Sequence, residues 1–194
     1  METSRANVFL GTFSILAISP DSKLMGVAVA SGSTYVGDRV PYAEPGTGVI
    51  ATQAYTNIIY GIEGLKLLKK GLTPEETLNT LLGEDPARDL RQVAIMDFKR
   101  RKAIFTGANT PGYHAEIVGK DYIVIGNLLS RKKVINNMAK QFESSSEDLA
   151  LRMVKALKAG SESGGDRRGE KSAALIVVSM EKVEAEIKVS AHEN

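Results

Sequence analysis

Apolar positions along the chain follow two rhythms. From Val8 to Ser19 and from Lys23 to Ser31 the residues are apolar and rich in β-branched types. "SPDS" between them is turn chemistry, so the pair reads as a β-hairpin. A third strand, Val49 to Ala54, follows a loop punctuated by Pro41, Pro45, Gly46 and Gly48. The period then becomes helical. "IEGLKLLKKG" offers Ile62, Leu65, Leu67 and Leu68 to one face, with Gly71 as its stop. "LTPEETLNTLL" opens on Thr73 as N-cap, with Pro74 at the first helical position and Glu76 closing a capping box. Leu78, Leu81 and Leu82 form its buried stripe. Four short strands follow: "RQVAIMDF", "KAIFTG", "YHAEIV" and "YIVIGN". Ser130 is placed to cap a helix carrying Val134, Met138 and Phe142. Ser144 or Ser145 is placed to cap another, with Leu149, Met153 and Leu157 inward and Gly160 at its end. After the loop "SESGGDRRGEKS", the strands "SAALIVVS" and "VEAEIKVS" close the pattern.

This order lacks the strict strand–helix alternation of a parallel sheet, and it predicts an α+β fold. "FSILAI", "YIVIG" and "ALIVV" are apolar at both alternating sets of positions, so both of their faces are covered. Two antiparallel sheets packed together, with a helix pair outside each, satisfy that requirement. The expectation is a four-layer αββα sandwich. It forms one domain, with residues 12–190 as the core and 1–11 as a leader or extension.

The chain has 194 residues, enough for one well-buried core. It has no cysteine, which excludes disulfides, thiolate metal sites and a Cys nucleophile. The two histidines, His114 and His192, lie far apart in sequence and suggest no metal centre. No metal or cofactor is expected. A net charge of +2 is too small to point to nucleic acid. No apolar run reaches the ~20 residues that span a bilayer. The run from Val8 does not read as a secretion signal either. Arg5 is a lone charge before it, and no small-x-small cleavage site follows. The expectation is a cytoplasmic protein without nucleic-acid or membrane partners.

Several apolar strands end in small polar residues, and strand ends are where sites are built. "ATQAYTN" supplies Gln53 and Asn57, amides able to donate to an oxyanion. Asn57 also reads as the N-cap of the next helix. "RQ" and "GN" place Gln92 and Asn127 at similar ends. In "GGDRRG", Asp166 can hold an arginine or orient a donor, and Arg167 and Arg168 can clamp a carboxylate or other anion. The same loop also reads as a solvated turn whose charges pair with each other.

"TFSILAI", "GVAVAS", "VGDRVPYAEPGTGVIATQAYTN", "YGIEGLKLLKKG", "RQVAIMD", "FTG", "GNLL" and "AGSESGGDRRGEKSAALIVV" occur in order. Together they resemble the family known as domain of unknown function 1028. The resemblance implies a fold similar to the N-terminal nucleophile (Ntn) hydrolases. In those enzymes a Thr, Ser or Cys becomes the first residue of the mature chain and attacks an amide carbonyl, with its own α-amine as base. By this resemblance Thr12 is the nucleophile candidate, and Gly11-Thr12 looks like a processing junction. The pattern also departs from proteasome-type sites. Ser31 and Ser33 stand where an Asp is expected, and no Lys lies between Lys23 and Lys66.

Two functions follow as expectations. One is an amide hydrolase acting on a small molecule or peptide, with Thr12 catalytic and Ser31, Gln53, Asn57, Asp166 and Arg167 binding substrate. The other is a small-ligand-binding or structural module on the same scaffold. A symmetric homo-oligomer is the default expectation for either.

Overall fold

The computed structural model describes residues 11–192. Residues 1–10, most of the expected leader, lie outside the described residues. Among the described residues, ten strands form two antiparallel sheets. The larger joins β1 (Thr12–Ile18), β2 (Met25–Ser31), β7 (Tyr113–Val118), β8 (Tyr122–Leu129), β9 (Ser172–Val178) and β10 (Val183–Val189), in the order β10-β9-β2-β1-β8-β7. The smaller joins β3 (Pro41–Glu44), β4 (Gly48–Ala54), β5 (Arg91–Asp97) and β6 (Lys102–Thr106) in chain order. Helices α1 (Ile59–Lys69) and α2 (Pro74–Glu84) cover the smaller sheet. Helices α3 (Lys133–Ser144) and α4 (Leu149–Glu162) cover the larger one. The fold is therefore an α+β, four-layer αββα sandwich.

Three apolar layers hold it together. Phe13, Ile15 and Ala17 of β1 face α3 and α4, where they meet Met138, Phe142 and Met153. The other set of positions on β1, through Leu16 and Ile18, faces the smaller sheet and meets Val49, Ala51, Ala94 and Met96. Outside the smaller sheet, Ile50, Val93 and Ile95 pack on Tyr60, Leu78 and Leu81. The two alternating faces of each central strand thus feed different cores, which is why these strands read as continuously apolar.

The capping box forms as expected: Thr73 Oγ1 accepts the Glu76 N–H at 3.1 Å, and Glu76 accepts the Thr73 N–H at 2.7 Å. Several local expectations are corrected. β3 lies inside the stretch expected to be loop, pairing Pro41 to Glu44 with β4. It is an edge strand, where Pro41 costs no internal ladder bond. Ile62 is exposed, not buried. The inward face of α1 runs through Gly61, Gly64 and Leu68 instead. A Cβ on Gly64 would meet Ile50 Cδ1 at 2.6 Å, so its lack of a side chain sets how closely α1 approaches the sheet. Ser130 does not cap α3: the helix starts at Lys133 with Lys132 at the N-cap position and no side chain capping it, and the Ser130 N–H instead bonds Gly165 O at 3.0 Å. Neither Ser144 nor Ser145 caps α4; Asp148 does, accepting the Leu151 N–H at 2.9 Å. Gly160 lies within α4, packed close to Met138 and Phe13, and the helix continues to Glu162.

Candidate active site at the polar end of the inter-sheet layer

The apolar rows between the sheets all turn polar at one end. On β1, Leu16 and Ile18 give way to Ser14 and Thr12. On β2, Val27 and Val29 lead to Ser31. On β4, Val49 and Ala51 lead to Gln53. On β5, Met96 and Ala94 lead to Gln92. On β8, Ile123 and Ile125 lead to Asn127. Strand pairing sets Thr12 beside Asn127 and Gln53 beside Gln92. All six of these polar residues are fully buried or nearly so. Buried polar groups must be hydrogen-bonded, so their network has little freedom.

One half of the network surrounds the carbonyl of Gly11. That oxygen accepts from Ser31 Oγ at 2.5 Å and from Arg168 Nη2 at 3.0 Å. Thr12 Oγ1 lies 2.5 Å from the same oxygen and 3.1 Å from Ser31 Oγ. Ser31 Oγ is 2.8 Å from Ser33 Oγ, and Arg39 Nη2 donates to Ser33 Oγ. A guanidinium only donates, so Arg39 makes Ser33 an acceptor and turns the Ser33 proton toward Ser31. The Ser31 proton is then directed at Gly11 O. Burial, and then the nearby Arg168 cation, hold the Arg39 pKa down to about 10, which leaves it charged at neutral pH.

Arg168 is aimed by Asp166. The Asp166 carboxylate has no exposed side-chain surface. It accepts from Arg168 Nε at 3.0 Å, Arg168 Nη2 at 2.7 Å, the Arg168 N–H at 3.0 Å and the Gly32 N–H at 2.8 Å. The backbone bond is a turn that folds Arg168 back over Asp166. Arg167, between them, is exposed, and its N–H bonds Leu128 O. Two adjacent arginines are indistinguishable by type; the turn decides which one enters the site.

The other half of the network is a chain of amides. Glu116 accepts from Thr106 Oγ1 at 2.6 Å, and Thr106 Oγ1 accepts from Gln92 Nε2 at 3.2 Å. Gln92 Oε1 therefore faces inward, accepting from Gln53 Nε2 at 2.8 Å and Asn127 Nδ2 at 3.2 Å. Gln53 Nε2 also donates to Thr12 O at 3.2 Å, and its Oε1 accepts from Ser14 Oγ at 2.6 Å. Asn127 Oδ1 is left to accept the Gly11 N–H at 3.1 Å.

Thr12, Ser31, Gln53 and Asp166 thus meet in one cluster, while Asn57 and Arg167 stand apart from it. Asn57 Oδ1 accepts the Ile59 N–H at 3.1 Å at the head of α1, and Nδ2 reaches Asp85 at 3.4 Å. Asp85 is forked by Arg91 at 2.8 and 3.3 Å, and this pairing holds its carboxyl down to about 2. Ser33, Arg39, Gln92, Asn127 and Arg168 complete the site. Gln92 and Asn127 were visible in the sequence as polar ends of alternating apolar rows. Among the described residues no cluster of His, Asp and Glu could hold a metal ion, and no helix is long and apolar enough to cross a membrane.

The chain belongs to the family of unknown function DUF1028, whose model matches residues 12–194. Among solved structures it is similar to protein SPO2555 from Silicibacter pomeroyi, described under the same family. The two share 31% identity with a TM-score of 0.88, over 95% of this chain and 80% of that one. It also aligns with Anbu (ancestral beta-subunit) from Yersinia bercovieri at 10% identity and a TM-score of 0.44, over 92% of this chain and 87% of that one. Comparison with curated proteins gives no match.

Proposed function

We propose that this chain is an amide hydrolase of the N-terminal nucleophile type, with Thr12 as nucleophile after cleavage of the Gly11–Thr12 bond. The observation that carries this reading is the Gly11 carbonyl. Ser31 Oγ and Arg168 Nη2 both donate to its oxygen, and the Thr12 hydroxyl donates to the same oxygen at 2.5 Å, which keeps Oγ1 beside the bond to be cut. Donors already aimed at a carbonyl stabilise the negative charge that develops on attack.

Cleavage starts as Thr12 Oγ1 bonds to the Gly11 carbonyl carbon. The C–N bond to Thr12 breaks, and the hydroxyl proton ends on the Thr12 nitrogen. Water then hydrolyses the resulting ester, leaving a Gly11 carboxylate and a Thr12 with a free amine. That amine has an ordinary pKa of ~7.7–8.0, so it serves as a base near neutral pH without a lysine. In turnover it takes the Oγ1 proton as Oγ1 attacks a substrate amide and passes it to the leaving amine. Water releases the acyl group as an acid. Ser31 and Arg168 are the oxyanion donors, Asp166 positions Arg168, and Gln53 holds the Thr12 carbonyl. Asn57 and Arg167 take no part in this chemistry.

The test is a substitution series read by intact mass. Thr12→Ser is expected to lose residues 1–11, and Thr12→Ala to keep them. A Thr12→Ala chain that is cut at the same bond as fast as Thr12→Ser overturns the proposal.

A further inference from the structure

We infer that the substrates are N-acylglycyl amides, peptides with an internal glycine included, and that Gly11 is the imprint of that substrate left by the chain itself. The inference rests on the reading of Thr12 as nucleophile. Whatever acyl group Thr12 attacks must place its carbonyl oxygen where Ser31 and Arg168 donate, which is where Gly11 O now sits. The groups around Gly11 then define what the rest of that acyl unit can be.

At the α-carbon there is no room for a side chain. A Cβ on Gly11 would stand 2.4 Å from Asp166 Oδ2 and 2.6 Å from Arg168 Nη2. Asp166 is fully buried and held by the Gly32 N–H, so its carboxylate cannot retreat, and Arg168, a third exposed, could give way only by loosening its fork on Asp166. Gly11 also has φ +91°, a conformation that disfavours any side chain.

At the α-nitrogen the site offers an acceptor. Asn127 Oδ1 takes the Gly11 N–H at 3.1 Å. The amide cannot turn its NH2 there without cost, since Asn127 Nδ2 is committed to Gln92 Oε1, and that orientation runs back through Thr106 to the Glu116 carboxylate. A carboxylate only accepts, so it fixes the direction of the whole chain. The subsite therefore calls for an N–H on the α-nitrogen, as in an acylated glycine. N-methylglycine lacks it.

The experiment has two readouts on the full-length protein. The first is self-cleavage, followed by intact mass in wild type and in Gly11→Ala. The second is hydrolysis by the cleaved wild type of fluorogenic amides of acetylglycine, acetylalanine, acetylleucine and acetyl-N-methylglycine. Wild type is expected to cleave itself, and Gly11→Ala to cleave at least about tenfold more slowly. Acetylglycine amide is expected to be preferred over the alanine and leucine analogues by ~10–200-fold or more. Its preference over the N-methyl analogue is expected to be about tenfold or more. A cleaved enzyme that prefers alanine or leucine, ignores N-methylation or is inert to all four probes overturns the glycyl inference and leaves the processing step standing. A wild-type chain that never cleaves overturns the nucleophile reading and the inference with it.

Discussion

Asp166 is the residue on which the site's geometry turns. Its carboxylate is out of contact with solvent and gathers four donors, so removing it leaves the Gly32 N–H and the Arg168 N–H and Nε without an acceptor. Asp166→Ala is expected to lower unfolding stability by about 2–3 kcal/mol, measured in urea. Arg168→Lys separates chemistry from folding. Lysine keeps the charge but not the planar fork that allows one side chain to grip Asp166 and reach Gly11 O together. The variant is expected to lose less stability than Asp166→Ala, because the ammonium still pairs with Asp166, and to cleave Gly11–Thr12 about a hundredfold more slowly. A time course of intact mass beside a urea melt checks both halves. The sequence pointed to Arg167, but it is Arg168 that a turn around Asp166 folds toward Gly11 O, a choice that residue type alone does not encode.

At the scale of elements, α2 offers the cleanest test. Its capping box is complete, so Thr73→Ala is expected to cost about 1 kcal/mol in thermal or urea unfolding without affecting self-cleavage. Asp85, beyond the end of α2, ties that helix to β5 through Arg91. The Asp85 pKa is lowered to about 2 by its bonds to Arg91. Its contribution is therefore complete above the ordinary carboxylate pKa of ~3.9 and is lost as pH falls through about 2. Asp85→Asn is expected to remove about 2 kcal/mol at pH 7 and to flatten the loss of stability between pH 4 and 2. The helices were legible where capping chemistry was local, as at Thr73. They were less so where packing ruled. For α1 the leucine stripe suggested an inward Ile62, but the close approach at Gly64 rotates that position to solvent. α3 has no side-chain cap, and α4 is capped by Asp148 rather than by a serine.

For the whole molecule, the layering was legible because doubly apolar strands require cover on both faces. The site was legible only in part. Each strand shows its own polar end, but which ends meet depends on how two sheets face each other, and no single strand encodes that. Thr12, Ser31 and Asn127 come from three strands of one sheet, Gln53 and Gln92 from two of the other. Their convergence on Gly11 is a property of the sandwich. The proposed function therefore turns on the Gly11–Thr12 bond, and the N-terminal residue of the purified wild-type protein reports on it. Thr12 is expected at the new N-terminus, with residues 1–11 released. A chain that keeps its full mass and its Gly11–Thr12 bond after prolonged incubation at pH 7–8 would contradict it.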